Sequence, residues 1–199
     1  MATEVTGRAG LKAERRERLL AEAARLMAAH GYRGVRLRDI GTAAGISGPG
    51  VYRHFAGKEA LLAELLVGPS RRLLEGALRA TAGDGDPARV LAALVDAHLD
   101  FSLAEPDVIR IQDRDLAGLP PAARDEVRRT QRRYVEIWVE VLRQAHPRAT
   151  AGQARTCAHA VFGLLNSTPH SAGPGAPPGT RAVLRAMAVA ALDAGGAPQ

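Results

Sequence analysis

Cysteine is nearly absent from this chain: Cys157 is the single one among 199 residues. No disulfide framework and no thiol cluster with metal-ligand spacing can be built from it, and a reducing, cytoplasmic setting is expected. Aromatic residues make up only 4%, and no stretch sustains an alternation of apolar and polar residues, which argues against strands and for an all-α chain. Long apolar runs are also lacking. Each is broken by Arg, Glu, Gly or Pro well short of a membrane span, and residues 1–10 lack the apolar core of a signal peptide, so a soluble protein with no membrane partner is expected. The six histidines are scattered, so no metal site is expected. Cys157 and His159 lie two apart on a predicted helix and point in different directions, and no other nucleophile meets a base. No catalytic residues and no cofactor are therefore expected.

Lysine is scarce as well: only Lys12 and Lys58 among 27 basic residues, a general bias towards arginine. The formal net charge is +6, but residues 1–58 hold 11 Lys and Arg against 5 Asp and Glu, whereas residues 59–199 hold 16 of each. The whole excess lies in the first third. A basic segment attached to a neutral body is an electrostatic footprint for a polyanion, with phosphate neutralisation supplying affinity.

Alanine and leucine are abundant, and their spacing predicts about nine helices. The first, over 12–30, has Leu19, Leu20, Ala23, Leu26 and Met27 on one face and closes at Gly31. Two very short helices, 37–44 and 48–54, are separated by Gly45-Ile46-Ser47. A long helix runs from Lys58 towards Ala82, with Gly68-Pro69 expected to kink or break it. After the turn signal at 83–87, helices follow over 87–104, 107–116, 122–145, 152–166 and 181–193, with a Pro/Gly-rich loop at 167–179. The expected organisation is a disordered N-terminal arm (1–11), a small basic helical domain (12–57), a larger helical domain (58–194) and a disordered tail (195–199).

The segment from Leu37 to Lys58 carries the function. A helix-turn-helix needs a first short helix with an apolar inner face, which Leu37, Ile40 and Ala44 supply. It needs a turn residue that tolerates a left-handed conformation, Gly45, and a buried aliphatic in the turn, Ile46. Ser47 can cap the second helix and Pro49 sits in its first turn. Beyond the turn, Gly48, Pro49, Gly50 and Arg53 are expected to face outward while Val51 and Phe55 anchor the helix. Tyr52 and His54 are spaced to meet phosphates, and Lys58 adds charge and a helix N-terminus.

At this spacing, Arg38-Asp39-Ile40, Ala44-Gly45-Ile46-Ser47 and Tyr52-Arg53-His54-Phe55-Ala56-Gly57-Lys58 resemble the DNA-binding domain of the TetR family of repressors. The resemblance covers about residues 12–66. It implies a three-helix DNA-binding domain and a helical body. It also implies that Arg38 and Gly48, Pro49 and Gly50 meet bases, and that Tyr52, His54 and Lys58 meet phosphates. Three positions depart from the pattern. Val35-Arg36 stand where the family has a capping Thr, so Arg36 is expected to take over its phosphate contact. Gly41 replaces the usual Ala, a loss of about 1 kcal/mol of helix propensity. Gly48, Pro49 and Gly50 offer almost no side-chain hydrogen bonds, which leaves direct readout to Arg38 and Arg53.

In the resembled family the body binds an inducer and dimerises through its last two long helices. Ala154, Ala158, Val161, Phe162 and Leu165, with Leu184, Met187, Ala188 and Ala191, are the expected dimer faces. Polar or aromatic residues on apolar stripes are the candidate ligand contacts: His98, Phe101, Tyr134, Trp138, Phe162 and Asn166. Arg110 and Arg114, on a short charged helix, are expected to hold an anionic group if they turn inward. The resulting expectation is a homodimeric, ligand-responsive repressor of a palindromic operator in double-stranded DNA, released by a small-molecule inducer. The alternative is an activator, or a regulator that works through a partner protein. A closed, fully packed body would favour that alternative, and a cavity of several hundred Å³ the inducer.

Overall fold

The computed structural model describes residues 2–83, 85–172 and 177–194, with the side chains of 2–9 left out. The described residues are all helical, without a strand: α1 (Ala2–Gly34), α2 (Leu37–Ala43), α3 (Gly48–Val51), α4 (Lys58–Ala80), α5 (Pro87–Ala104), α6 (Pro106–Asp115), a single 3-10 turn (Leu116–Gly118), α7 (Pro121–Ala145), α8 (Ala151–Leu165), α9 (Thr168–Ser171) and α10 (Thr180–Ala194). The 3-10 turn was not expected, and the single-turn α9 lies inside the expected loop at 167–179. The expected tail, 195–199, lies outside the described residues. Two compact units emerge: Met1–Val67 with Arg110–Arg124, and Gly68–Ile109 with Asp125–Gln199. The division thus falls at Gly68 rather than between 57 and 58. Leu61, Leu62 and Leu65 belong to the first unit and are buried, as are Ile111 and Leu119.

In the first unit α1 buries Leu19, Ala23 and Met27, as their spacing predicts. It starts at Ala2 rather than Lys12, so the arm expected over 1–11 is helical from its second residue. That stretch holds no proline, and Gly7 and Gly10 each cost only about 1 kcal/mol of propensity without blocking the helix. The helical conformation breaks at Gly31, whose φ of 78° suits a residue without a Cβ. Arg114 caps the end of α1: Nη1 donates to Ala28 O at 3.3 Å, and Nη2 donates to Met27 O. Tyr32 N–H donates to Asp115 Oδ2 at 3.1 Å.

Helices α2 and α3 form the helix-turn-helix. Gly45 takes a left-handed conformation (φ 68°), with Gly45 N–H donating to Thr42 O at 3.1 Å and Ile46 N–H to Gly41 O at 2.8 Å. This is a Schellman closure of α2. At the other end Arg36 N–H donates to Asp39 Oδ2 at 3.1 Å, so Asp39 supplies part of the cap that the missing Thr would give. Ser47 sits at the N-cap of α3 but makes no side-chain cap, contrary to expectation. Gly41 is buried at the crossing of α2 and α3, where a Cβ would stand 2.7 Å from Val51 Cγ2 and 2.9 Å from Ile46 O. Its absent side chain sets the closeness of that crossing, which the propensity argument missed.

The second unit is a bundle in which α10 packs on both α8 and α5. Its core includes Leu94 and Leu99 of α5, Trp138 and Leu142 of α7, Val161 and Leu165 of α8, and Leu184 and Ala188 of α10. Asp86 caps α5 by accepting from Ala88 N–H at 3.3 Å. Thr150 and Gln153 cap α8 reciprocally, Gln153 N–H donating to Thr150 Oγ1 at 3.2 Å and Thr150 N–H to Gln153 Oε1 at 2.9 Å. α4 runs through Pro69 without a break, where a kink or break was expected.

Gly41→Ala is expected to lower stability by about 1–3 kcal/mol through overpacking, although it gains about 1 kcal/mol of helix propensity. Urea unfolding checks this; unchanged or raised stability would mean that α3 yields to the added methyl.

Candidate functional site

Around the turn, the side chains of Arg36, Arg38, Ser47, Pro49, Tyr52 and Arg53 are exposed, as is Gly48. Tyr52 is the most exposed large hydrophobic residue among the described ones, at 64%. Arg38 makes only a loose 3.5 Å ion pair with its neighbour Asp39, which leaves its guanidinium free to find another acceptor. All seven are open to solvent, among them Gly48, Pro49 and Arg53, which were expected to face outward. Gly50 departs from it: a Cβ there would meet Ile46 Cγ2 at 2.8 Å, so this position faces inward, against the turn. Lys58 departs too. Its Nζ donates to Tyr32 O and Val35 O, both at 2.8 Å, and lies 4.3 Å from the centre of the Tyr32 ring. The ammonium therefore ties α4 to the end of α1, a role that sequence reasoning missed.

His54 is half-buried, with Nδ1 buried and without a partner. Burial holds its pKa below the usual value, and so do the nearby cations Lys12, Arg15, Arg16 and Arg53. Those cations define a basic patch that extends from α3 onto the front of α1. Arg16 also pairs with Glu64 and lies 4.6 Å from the centre of the Phe55 ring. The signal for Lys12 and Arg15 was present in their three-residue spacing, which puts both on one helix face.

In the second unit, six of the eight ligand candidates come together: His98 and Phe101 from α5, Tyr134 and Trp138 from α7, Phe162 from α8 and Asn166 just after it. His98 Nδ1 lies 3.1 Å from Tyr134 Oη, and His98 Nε2 lies 3.0 Å from Asn166 Oδ1. With Asn166 Oδ1 accepting, Nε2 carries the proton and Nδ1 accepts from the Tyr134 hydroxyl, which makes every member neutral. Burial pushes the His98 pKa down to about 4, partly opposed by the hydrogen bond to Asn166. Burial pushes the Tyr134 hydroxyl well above the ordinary phenol range, opposed by the approaching Trp138 N–H. The Phe162 ring stacks on His98 (5.2 Å, 21°) and on Tyr134 (5.6 Å, 26°). Trp138 meets Phe162 edge-on at 4.9 Å and Phe101 meets His98 edge-on at 6.0 Å. The centre of the cluster is packed shut, His98 at 4% exposure and Trp138 at 0%, while Phe101, Phe162 and Asn166 are partly exposed. Open depressions lie elsewhere on this unit, one of about 530 Å³ lined by Leu78, Thr81, Val90, Ile137, Glu140 and Gln144 among others.

Arg110 and Arg114 both belong to the first unit, and Arg114 is committed to the carbonyls at the end of α1. The expected dimer faces also need correction. Ala154, Ala158, Val161 and Leu165 of α8, with Leu184 and Ala188 of α10, are buried in the chain's own core, and Phe162 and Ala191 pack against it. The faces left open are a different set: Thr156, Ala160 and Gly163 on α8, and Ala182, Val183, Ala186, Met187 and Ala190 on α10. Val183 and Met187 are 58% and 51% exposed. Only Met187 was anticipated, because periodicity finds an apolar stripe without saying which partner covers it.

Residues 19–65 match the family model described as bacterial regulatory proteins, tetR family, and residues 84–171 match the tetracyclin repressor-like C-terminal domain. The chain is 32% identical over 139 residues to the HTH-type transcriptional repressor KstR2 of Mycobacterium tuberculosis, covering 68% of each protein. Among solved structures, the ketosteroid transcriptional regulator KstR2 of the same organism superimposes with a TM-score of 0.79 at 23% identity, over 90% of this chain and 94% of that one. AibR in complex with isovaleryl coenzyme A and operator DNA gives 0.73 at 20% identity, over 87% and 96%. Among the described residues no helix is long and apolar enough to cross a membrane.

Because His98 is held neutral in the fold, its unfolded form binds a proton at a higher pH, near 6.5, than its folded form does, at about 4. Stability contributed by the neutral ring is therefore present above that window and lost as pH falls through it. Between about pH 7 and about pH 5 the loss is about 2 kcal/mol. Urea unfolding of the protein and of His98→Gln at both values is expected to show a pH slope smaller by that amount in the variant. Equal slopes would remove His98 as the source.

Proposed function

As the chain belongs to the TetR family of bacterial regulatory proteins, whose members bind DNA and are not enzymes, we propose that it is a repressor that grips a palindromic operator as a homodimer and lets go when a small molecule enters its second unit. The observation that carries the DNA half is the turn at Gly45. It leaves Arg36, Arg38, Tyr52 and Arg53 exposed on one surface, backed by the basic patch of Lys12, Arg15 and Arg16. In this reading Arg38 and Arg53 read base edges or phosphates, Gly48 and Pro49 let α3 approach the groove floor, and Tyr52 and Arg36 meet phosphates. Ser47 and the His54 edge lie beside them, and Lys58 supports the surface from behind.

Two half-sites call for two copies, since one short recognition helix gives little affinity. The open small-residue faces of α8 and α10 support a four-helix interface about a twofold axis, with Val183 and Met187 at its centre. For the ligand half, the second unit's buried cluster of neutral polar groups and aromatic rings is the supporting observation. AibR, in complex with isovaleryl coenzyme A and operator DNA, supports small-molecule binding within this fold. The closed packing of the cluster favours a second reading, regulation through a partner protein or as an activator without a ligand. Connectivity supplies the coupling in either case: α4 runs from the first unit into the second, changing unit at Gly68.

Purified protein titrated against the DNA upstream of its own gene across a salt series is expected to give a site-specific footprint and a steep salt slope. Arg38→Ala is expected to cost about 1–3 kcal/mol and relax specificity, while Arg36→Ala lowers the salt slope by about 1 at unchanged specificity. Weak binding, equal on any DNA, would count against direct operator recognition. Val183→Glu with Met187→Glu is expected to leave a folded monomer by sedimentation, with operator affinity reduced at least about tenfold; a persistent dimer would place the interface elsewhere.

A further inference from the structure

Trp138 carries a polar atom that the fold does not use. Its side chain is wholly buried, and Nε1 has no accepting partner, approaching the Tyr134 hydroxyl without reaching hydrogen-bond geometry. An unsatisfied buried N–H costs about 1–3 kcal/mol, which a hydrogen-bond acceptor brought in from outside would offset. The ring it meets edge-on, Phe162, is only partly buried, whereas His98 and Tyr134 beneath that ring are buried. Phe162 lies nearly parallel to both rings, at centroid distances of 5.2 and 5.6 Å, so a flat group in its place would keep the same stacking. Among the described residues no lysine, arginine, aspartate or glutamate is buried; the buried polar side chains are Ser70, His98, Ser102 and Thr168.

Resting on the reading that this unit binds a small molecule, we propose that its ligand is uncharged and planar, carries a hydrogen-bond acceptor, takes the position of the Phe162 ring over His98 and Tyr134, and accepts from Trp138 Nε1. The stacked faces select flatness. The indole N–H selects an acceptor such as a carbonyl oxygen. An ionised group is rejected because one neutral donor does not replace its hydration and no buried counter-charge stands among the described residues. Arg110 and Arg114, the cations that sequence reasoning assigned to a ligand, belong to the other unit.

Trp138 is the only tryptophan in the chain, so isotope-labelled full-length protein gives one indole N–H resonance. Three probes share a phenyl ring: acetophenone has a neutral acceptor, benzoate a charged one and ethylbenzene none. Acetophenone is expected to bind saturably and move the indole proton downfield, with benzoate at least about tenfold weaker and ethylbenzene binding without the downfield shift. Phe162→Leu is expected to strengthen acetophenone binding, and Trp138→Phe to abolish its advantage over ethylbenzene. Benzoate binding as tightly as acetophenone, or acetophenone binding with the indole resonance unmoved, would overturn the proposal. So would the absence of binding by both the protein and Phe162→Leu. Operator retention is measured on the same samples. DNA release by some other molecule with the indole unmoved overturns this proposal and leaves ligand-responsive repression standing. An indole shift without release supports the ligand chemistry and counts against repression relieved by it.

Discussion

The DNA-facing unit depends on how α1 ends. Where the helix breaks at Gly31, the carbonyls of Met27 and Ala28 stand at a helix end, where the last carbonyls call for partners from outside the helix. Arg114, more than 80 residues further along the chain, supplies its guanidinium to both. The adjoining residue Tyr32 is held from two sides: its N–H by Asp115 and its carbonyl by Lys58. A cation at a helix C-terminus is favourable in itself, and here it also brings α6 and the start of α4 to one point on α1. The helix-turn-helix is mounted on that joint, and the segment Arg110–Arg124 belongs to the unit for this reason.

A second constraint governs the other unit. His98, Tyr134 and Asn166 form a chain of hydrogen bonds in which each donor meets an acceptor only while all three are neutral. No lysine, arginine, aspartate or glutamate is buried among the described residues, so burial and hydrogen bonding together fix one protonation state and one tautomer. Such a chain orients side chains on three helices at once, because losing one member strands the next. The indole of Trp138, packed against the same rings, is the one member whose polar atom that chain leaves out.

The sequence carried a large part of this. Amphipathic spacing located nearly every helix, and the glycine at position 45 marked the turn because only a left-handed backbone closes α2 in that way. Local rules failed where the cause was not local. The residue at 41 looked like a weak helix former, yet it is the close contact between two helices. Lys58 and Arg114 looked like free cations for an anionic partner, yet both satisfy backbone carbonyls of distant residues.

What the sequence determined by itself is the fold class, the family, the helix-turn-helix and the set of aromatic and polar residues on apolar stripes. Each is written in short-range spacing, and the period of a helix converts spacing into a face. What only the tertiary structure decided is which of two apolar faces on α8 and α10 turns inward, which arginine is spent on a helix end, and that five residues from α5, α7 and the end of α8 meet around the buried imidazole of His98. Periodicity gives a helix its faces; the neighbour that covers each face is set by packing between elements far apart in the chain.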